Sequence, residues 1–235
     1  VREYPDHALN CVFLFGAGEA NFRLHDWKMA GELFRKILKQ CRNMRVVVGA
    51  EMRQADMEFD RATAKLKASY EKIYTQNGPI INHYYPALLF NMGELKYREG
   101  QYPSSRFYFN EYFKHHGKEE LCFSHAVKRR ADIAARLKEK TELTTGLYLA
   151  VKETVPKSDM GRFSYLHALL LDLKTTSLVE RARRLRVFDE LVDQIGDDGT
   201  RKLAYLEKGL AMLEAGEKSA IDYLVRLGEW ASIDL

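Results

Sequence analysis

Proline is scarce in this chain, 5 residues in 235, which leaves little room for a proline-rich linker or a disordered tail. Cysteine is scarcer still: Cys11, Cys41 and Cys122 lie far apart with no C-x-x-C spacing. An odd number cannot form a complete set of internal disulfides, so buried, reduced thiols are the expected state. No stretch comes near the roughly 20 apolar residues that a membrane span needs. Charge of one sign is also lacking, since 37 Lys+Arg against 33 Asp+Glu leaves a net +4, too little to argue for a nucleic-acid partner. The basic runs Lys128-Arg129-Arg130 and Arg181 to Arg186 fall in helical patterns and read as solvated helix faces. The chain opens on Val1 without Met or a signal peptide, which points to a processed or excised piece of something longer.

Groupings that carry chemistry are missing as well. His115 and His116 are adjacent and diverge on a helix, while His7, His25, His83, His125 and His167 are isolated, so solvent-facing or capping roles are expected and no metal site. Cys122 and His125 are one helical turn apart, a spacing at which a thiol and a base meet without function by default. No carboxylate sits in an apolar run that would raise its pKa. Gly16-Ala17-Gly18 lacks the strand and the third glycine of a dinucleotide fingerprint and reads as helix packing. No catalytic residue and no cofactor are expected.

What the chain does contain is internal repetition. Leu14, Gly18, Phe22, Trp27, Ala30, Phe34 and Ile37 align without gaps with Leu89, Gly93, Tyr97, Tyr102, Ser105, Phe109 and Tyr112. Tyr205, Gly209, Leu213, Ala220, Leu224 and Leu227 repeat the frame, with Gly216 matching Gly100 at the turn. Each copy reads as helix, turn, helix, with glycine where the two helices approach most closely and a small residue opposite. Degenerate copies lie between: Ala50 to Asp56 echoes Ala126 to Asp132, with Ala55 and Ala131 in the place of the packing glycine. The stretch 158–195 keeps only helical periodicity, with Ser158 as N-cap and Gly196 as stop.

These residues resemble the tetratricopeptide repeat. The resemblance implies an all-α, right-handed α-solenoid of about six antiparallel hairpins over 1–235, with clear copies at 9–41, 84–117 and 202–235 and degenerate ones at 46–77, 120–155 and 158–195. The run from Tyr85-Pro86-Ala87 through Gly93, Tyr97, Gly100-Gln101-Tyr102 and Phe109 to Tyr112 is similar to repeats of bacterial cell-envelope scaffolds, which implies a periplasmic adaptor; free cysteines favour the cytoplasm instead.

By the same resemblance, the positions three before, one after and four after the packing residue look into a concave groove. They are Phe15, Glu19 and Phe22; Met52, Asp56 and Phe59; Phe90, Glu94 and Tyr97; then Lys128, Asp132 and Ala135. An acidic line bordered by aromatics suits a basic or amphipathic segment of a partner protein. Some members of the superfamily clamp a C-terminal carboxylate there. Asn91 holds one clamp position, but Phe15 and Glu19 stand where the clamp needs Lys and Asn. The expected function is a non-catalytic scaffold or adaptor that binds a protein in its groove, with no nucleic acid and no membrane span; a small-molecule or lipid module, or a regulatory subunit of an enzyme, are the alternatives.

Overall fold

The computed structural model describes residues 8–57, 64–120 and 122–232. Among them the fold is all-α, with twelve helices: α1 Ala8–Arg23, α2 Trp27–Gln40, α3 Met44–Asp56, α4 Ala64–Tyr84, α5 Pro86–Arg98, α6 Tyr102–His115, α7 Phe123–Arg136, α8 Thr141–Thr154, α9 Asp159–Leu170, α10 Leu178–Val192, α11 Asp198–Glu214 and α12 Ala220–Ser232. The chain forms two compact units, 1–120 and 121–235, with three helical pairs in each.

In the first unit α1 packs on α2, α3 on α4 and α5 on α6, and each pair also touches the next. The alignment frame becomes physical at two glycines. A Cβ on Gly18 would lie 2.5 Å from the Phe34 ring, and one on Gly93 would lie 2.8 Å from the Phe109 ring. Both rings are fully buried, so neither can swing away. Opposite Gly93, the Ser105 hydroxyl donates to the Gly93 carbonyl at 2.7 Å. Phe34 and Ile37 of α2 are buried with Ala30 against Val46 and Ala50 of α3, each large side chain contributing about 1.5–3 kcal/mol.

The hairpin turns follow the same frame. His25, Gly100, Lys138 and Gly216 all adopt positive φ, at 60°, 73°, 52° and 74°. Each lies seven residues after its packing residue, Gly18, Gly93, Ala131 or Gly209. In each turn the next N–H donates to the carbonyl five residues back, as Gln101 does to Lys96 and Glu139 to Ala134, both at 2.9 Å. This is a helix C-cap in the left-handed region, which glycine enters without strain. Side chains cap the starts: Asp26, Asn43, Ser158, Ser177 and Asp197 accept N–H bonds in the first turns of α2, α3, α9, α10 and α11. In α4 the backbone leaves helical geometry at Asn77, two residues before Pro79, and the Asn77 amide donates to the Ile73 carbonyl at 3.2 Å.

The cysteines correct the expectation of three reduced thiols. Cys11 on α1 and Cys41 after α2 form a disulfide, with Cα atoms 5.9 Å apart and a sequence separation of 30. Hairpin geometry brings the two ends together, and closing a loop of that length is worth about 3–4 kcal/mol in the chain-entropy account. Cys122 is in no disulfide.

In the second unit α7 packs on α8, α8 on α9, α9 on α10 and α11, and α11 on α12. Its core joins Phe163, Leu166, Leu170 and Leu173 to Phe188, Val192, Ile195 and Ala204. Arg181 corrects the reading of its basic run as a solvated face. The Arg181 side chain is buried and donates to the Leu173 carbonyl at 2.9 Å, the Ala215 carbonyl at 3.1 Å and Glu217 at 2.8 Å, tying the start of α10 to the α11–α12 turn. Arg183 and Arg184 both pair with Glu180, at 2.7 and 2.8 Å.

Candidate functional site

The sequence places an acid one position after the packing residue in four hairpins, and each of these acids is buried or paired. Arg53 reaches from α3 to α1, donating to Glu19 through Nε at 2.5 Å and Nη2 at 3.0 Å. Its Nη1 donates to Asp56 at 2.8 Å. Asp56 also accepts from the Tyr70 hydroxyl of α4 at 2.6 Å and from the Asn91 amide of α5 at 3.0 Å. A polar ladder therefore crosses the three first helices of this unit, from Glu19 through Arg53 and Asp56 to Asn91. Asn91, assigned by resemblance to a carboxylate clamp, spends its amide on Asp56 and the Tyr70 oxygen.

The ladder corrects two further expectations. The Asp56 side chain is only 7% exposed, and burial pushes its carboxyl up from the ordinary value against the pull of Arg53, Tyr70 and Asn91. A carboxylate with a raised pKa is thus present. Sequence could not show it, because the residues that bury it come from α4 and α5. Glu94 is buried too, so it does not line an open acidic surface.

The aromatic border is half-buried, and each described ring has a partner in its own unit. Phe15 packs 6.0 Å from Phe34, and Phe22 lies edge-on to Trp27 at 5.1 Å with the Arg53 guanidinium 4.9 Å above its ring. Met52 is buried. Phe90 meets Phe109 at 5.8 Å and Tyr97 meets Tyr102 at 5.5 Å, both edge-on. Phe59 lies outside the described residues.

Asp132, in the second unit, repeats the Asp56 arrangement. Arg129, which aligns with Arg53, donates to it at 3.1 Å, Lys128 at 2.8 Å and the buried Tyr148 hydroxyl at 3.0 Å. The sequence echo between Ala50–Asp56 and Ala126–Asp132 is therefore the imprint of an Arg-x-x-Asp pair closed by a tyrosine from the next helix. Solvent-facing or capping roles are the expectation for the histidines; His116 takes the capping one at the end of α6, and His167 takes neither. His167 stacks 4.4 Å from Tyr148 and holds Nδ1 2.6 Å from Glu207, joining α9 to α11, and the His116 side chain is buried.

The same three positions around Gly209 are Leu206, Leu210 and Leu213, of which the repeat frame names only Leu213. With Leu203 they form a row on α11 spaced three, four and three residues apart. They are 42–47% exposed, whereas Ala204 and Met212, on the opposite face, are buried. The offsets from the packing residue that give Glu19 and Asp56 give these leucines as well. Among the described residues no group of His, Cys, Asp and Glu could hold a metal ion, and no helix is long and apolar enough to cross a membrane. No family model matches the chain, and no curated protein sequence matches it.

Proposed function

We propose that this chain is a tetratricopeptide-like helical scaffold that docks an amphipathic helix of a partner protein on the leucine row of α11. One observation carries the reading: Leu203, Leu206, Leu210 and Leu213 stand exposed at heptad-like spacing on one helix face. A row of that kind is the complement of a partner helix with its own apolar stripe, which would fill the spaces between the leucines. The basic occupant expected from the acidic line loses its support, because Glu19, Asp56 and Asp132 already hold cations of their own unit. An envelope location is part of the proposal, supported by the Cys11–Cys41 disulfide, which suits an oxidising compartment.

The test is affinity capture with cross-linking from the native source, using the wild-type chain and the double variant Leu206→Lys, Leu210→Lys. The expected outcome is a partner retained by the wild type and lost by the variant, with helical circular dichroism and melting unchanged. Equal capture by both proteins would reject the leucine row. Light scattering separates a second copy of this chain from a different partner, since self-association would be lost in the same variant.

A further inference from the structure

A second feature of the second unit, independent of the leucine row, is a cavity of about 330 Å³ lined by Lys152, Pro156, Lys157, Arg162, Tyr165, Leu191 and Gln194. Its lining carries three cationic side chains and no carboxylate. Two of the cations are held in place. The Lys152 ammonium sits 4.0 Å above the Tyr165 ring, and Arg162 is oriented by Asp159 at 3.1 Å. Asp159 is itself fixed by the N–H groups of Gly196 at 3.1 Å and Asp197 at 2.8 Å, so the guanidinium rests on a braced support. Pro156, Leu191 and the Tyr165 ring give the same cavity an apolar side.

We propose that this cavity binds a small phosphomonoester, its phosphate among Lys152, Lys157 and Arg162 and its organic part against Tyr165, Pro156 and Leu191. Arg162 is paired with Asp159 beside the cavity, but the lining itself offers its three cations no carboxylate, and an anion of about −1.5 to −2 charge answers them better than a single carboxylate does. Lysine supplies point charge to phosphate, and arginine supplies a planar fork for two of its oxygens. The volume admits a phosphate with one ring or a short sugar-sized group.

The experiment is a calorimetric titration of the intact chain with phenyl phosphate, with inorganic phosphate and neutral benzyl alcohol as comparisons. Phenyl phosphate should bind saturably, inorganic phosphate more weakly and benzyl alcohol not at all. Lys152→Gln and Lys157→Gln, both at exposed positions, should each weaken phenyl phosphate by about tenfold, the loss expected for one charge-assisted contact, with thermal melting unchanged. No saturable binding, or equal binding by the Lys152→Gln, Lys157→Gln double variant, would overturn the proposal. Equal affinity for phenyl phosphate and benzyl alcohol would overturn it as well, because the cations would then contribute nothing.

Discussion

Three positions of the helical hairpin are filled in opposite ways in different parts of this chain. Around Gly18, Ala55 and Gly93 they hold Phe15, Glu19, Met52, Asp56, Phe90 and Glu94, which are packed, paired or buried within the first unit. Around Gly209 they hold Leu206, Leu210 and Leu213, which face outward. The repeat frame thus identifies a helix face without saying how it is used. Its use depends on side chains arriving from other helices: Tyr70 and Asn91 cover Asp56, and no described contact covers the leucines. Charge or polarity at a position is therefore a poor guide to exposure, and Glu19, Asp56, Glu94 and Asp132 are paired or buried within their own units.

The sharpest way to break that comparison is Asp56→Lys. It removes an acceptor from Arg53, Tyr70 and Asn91 and places a second cation beside Arg53, so unfolding of the first unit should become easier by about 3–5 kcal/mol. Denaturant unfolding followed by far-ultraviolet circular dichroism measures this. A change under about 1 kcal/mol, the size expected of a solvated surface charge, would return Asp56 to the groove.

Next in size is Gly93→Leu. Its Cβ would meet the fully buried Phe109 ring at 2.8 Å, and the cost should be about 1–3 kcal/mol, localised by hydrogen exchange to α5 and α6. Unchanged protection there would mean that Gly93 is not the close contact.

Much of this was legible in the sequence, and the reason it stopped is physical. All-α character, the helix-turn-helix units and the packing role of Gly18 and Gly93 follow from local spacing, because helix periodicity and closest approach are set within about 35 residues of chain. The partners of the acids were not legible. Glu19 meets Arg53 from a neighbouring hairpin, and Asp56 meets Asn91 from another, through pairings that no local pattern encodes. The parity of three cysteines does not show which pair a hairpin brings together, and here it brings Cys11 beside Cys41.

A smaller, stabilising effect sharpens the turn comparison. Gly100 and Gly216 occupy positive φ at no steric cost, while Lys138 does so at 52° with a side chain attached. Lys138→Gly should raise stability by about 1 kcal/mol, read as a higher melting temperature. A loss would show that the lysine side chain contributes more than the strain it carries.

The smallest expected effect is in pH. The Gly196 and Asp197 N–H groups, with Arg162, hold the Asp159 carboxyl below the ordinary aspartate value. A folded-state pKa below the unfolded one gives stability that is present above about pH 4 and lost as pH falls through the lowered value. Melting of the second unit should therefore fall on acidification, and less so in Asp159→Asn, which carries no charge to lose. An identical acid profile in that variant would remove Asp159 as a contributor.

The most direct test sets the two uses of the shared positions side by side: melting and partner capture measured for Asp56→Asn and for Leu206→Lys, Leu210→Lys. The account predicts a crossed result, in which the aspartate variant melts lower yet still captures at a temperature where it is folded, and the leucine variant melts as wild type yet captures nothing. An aspartate variant that keeps its melting temperature and loses the partner, or a leucine variant that unfolds early and still binds, would contradict it.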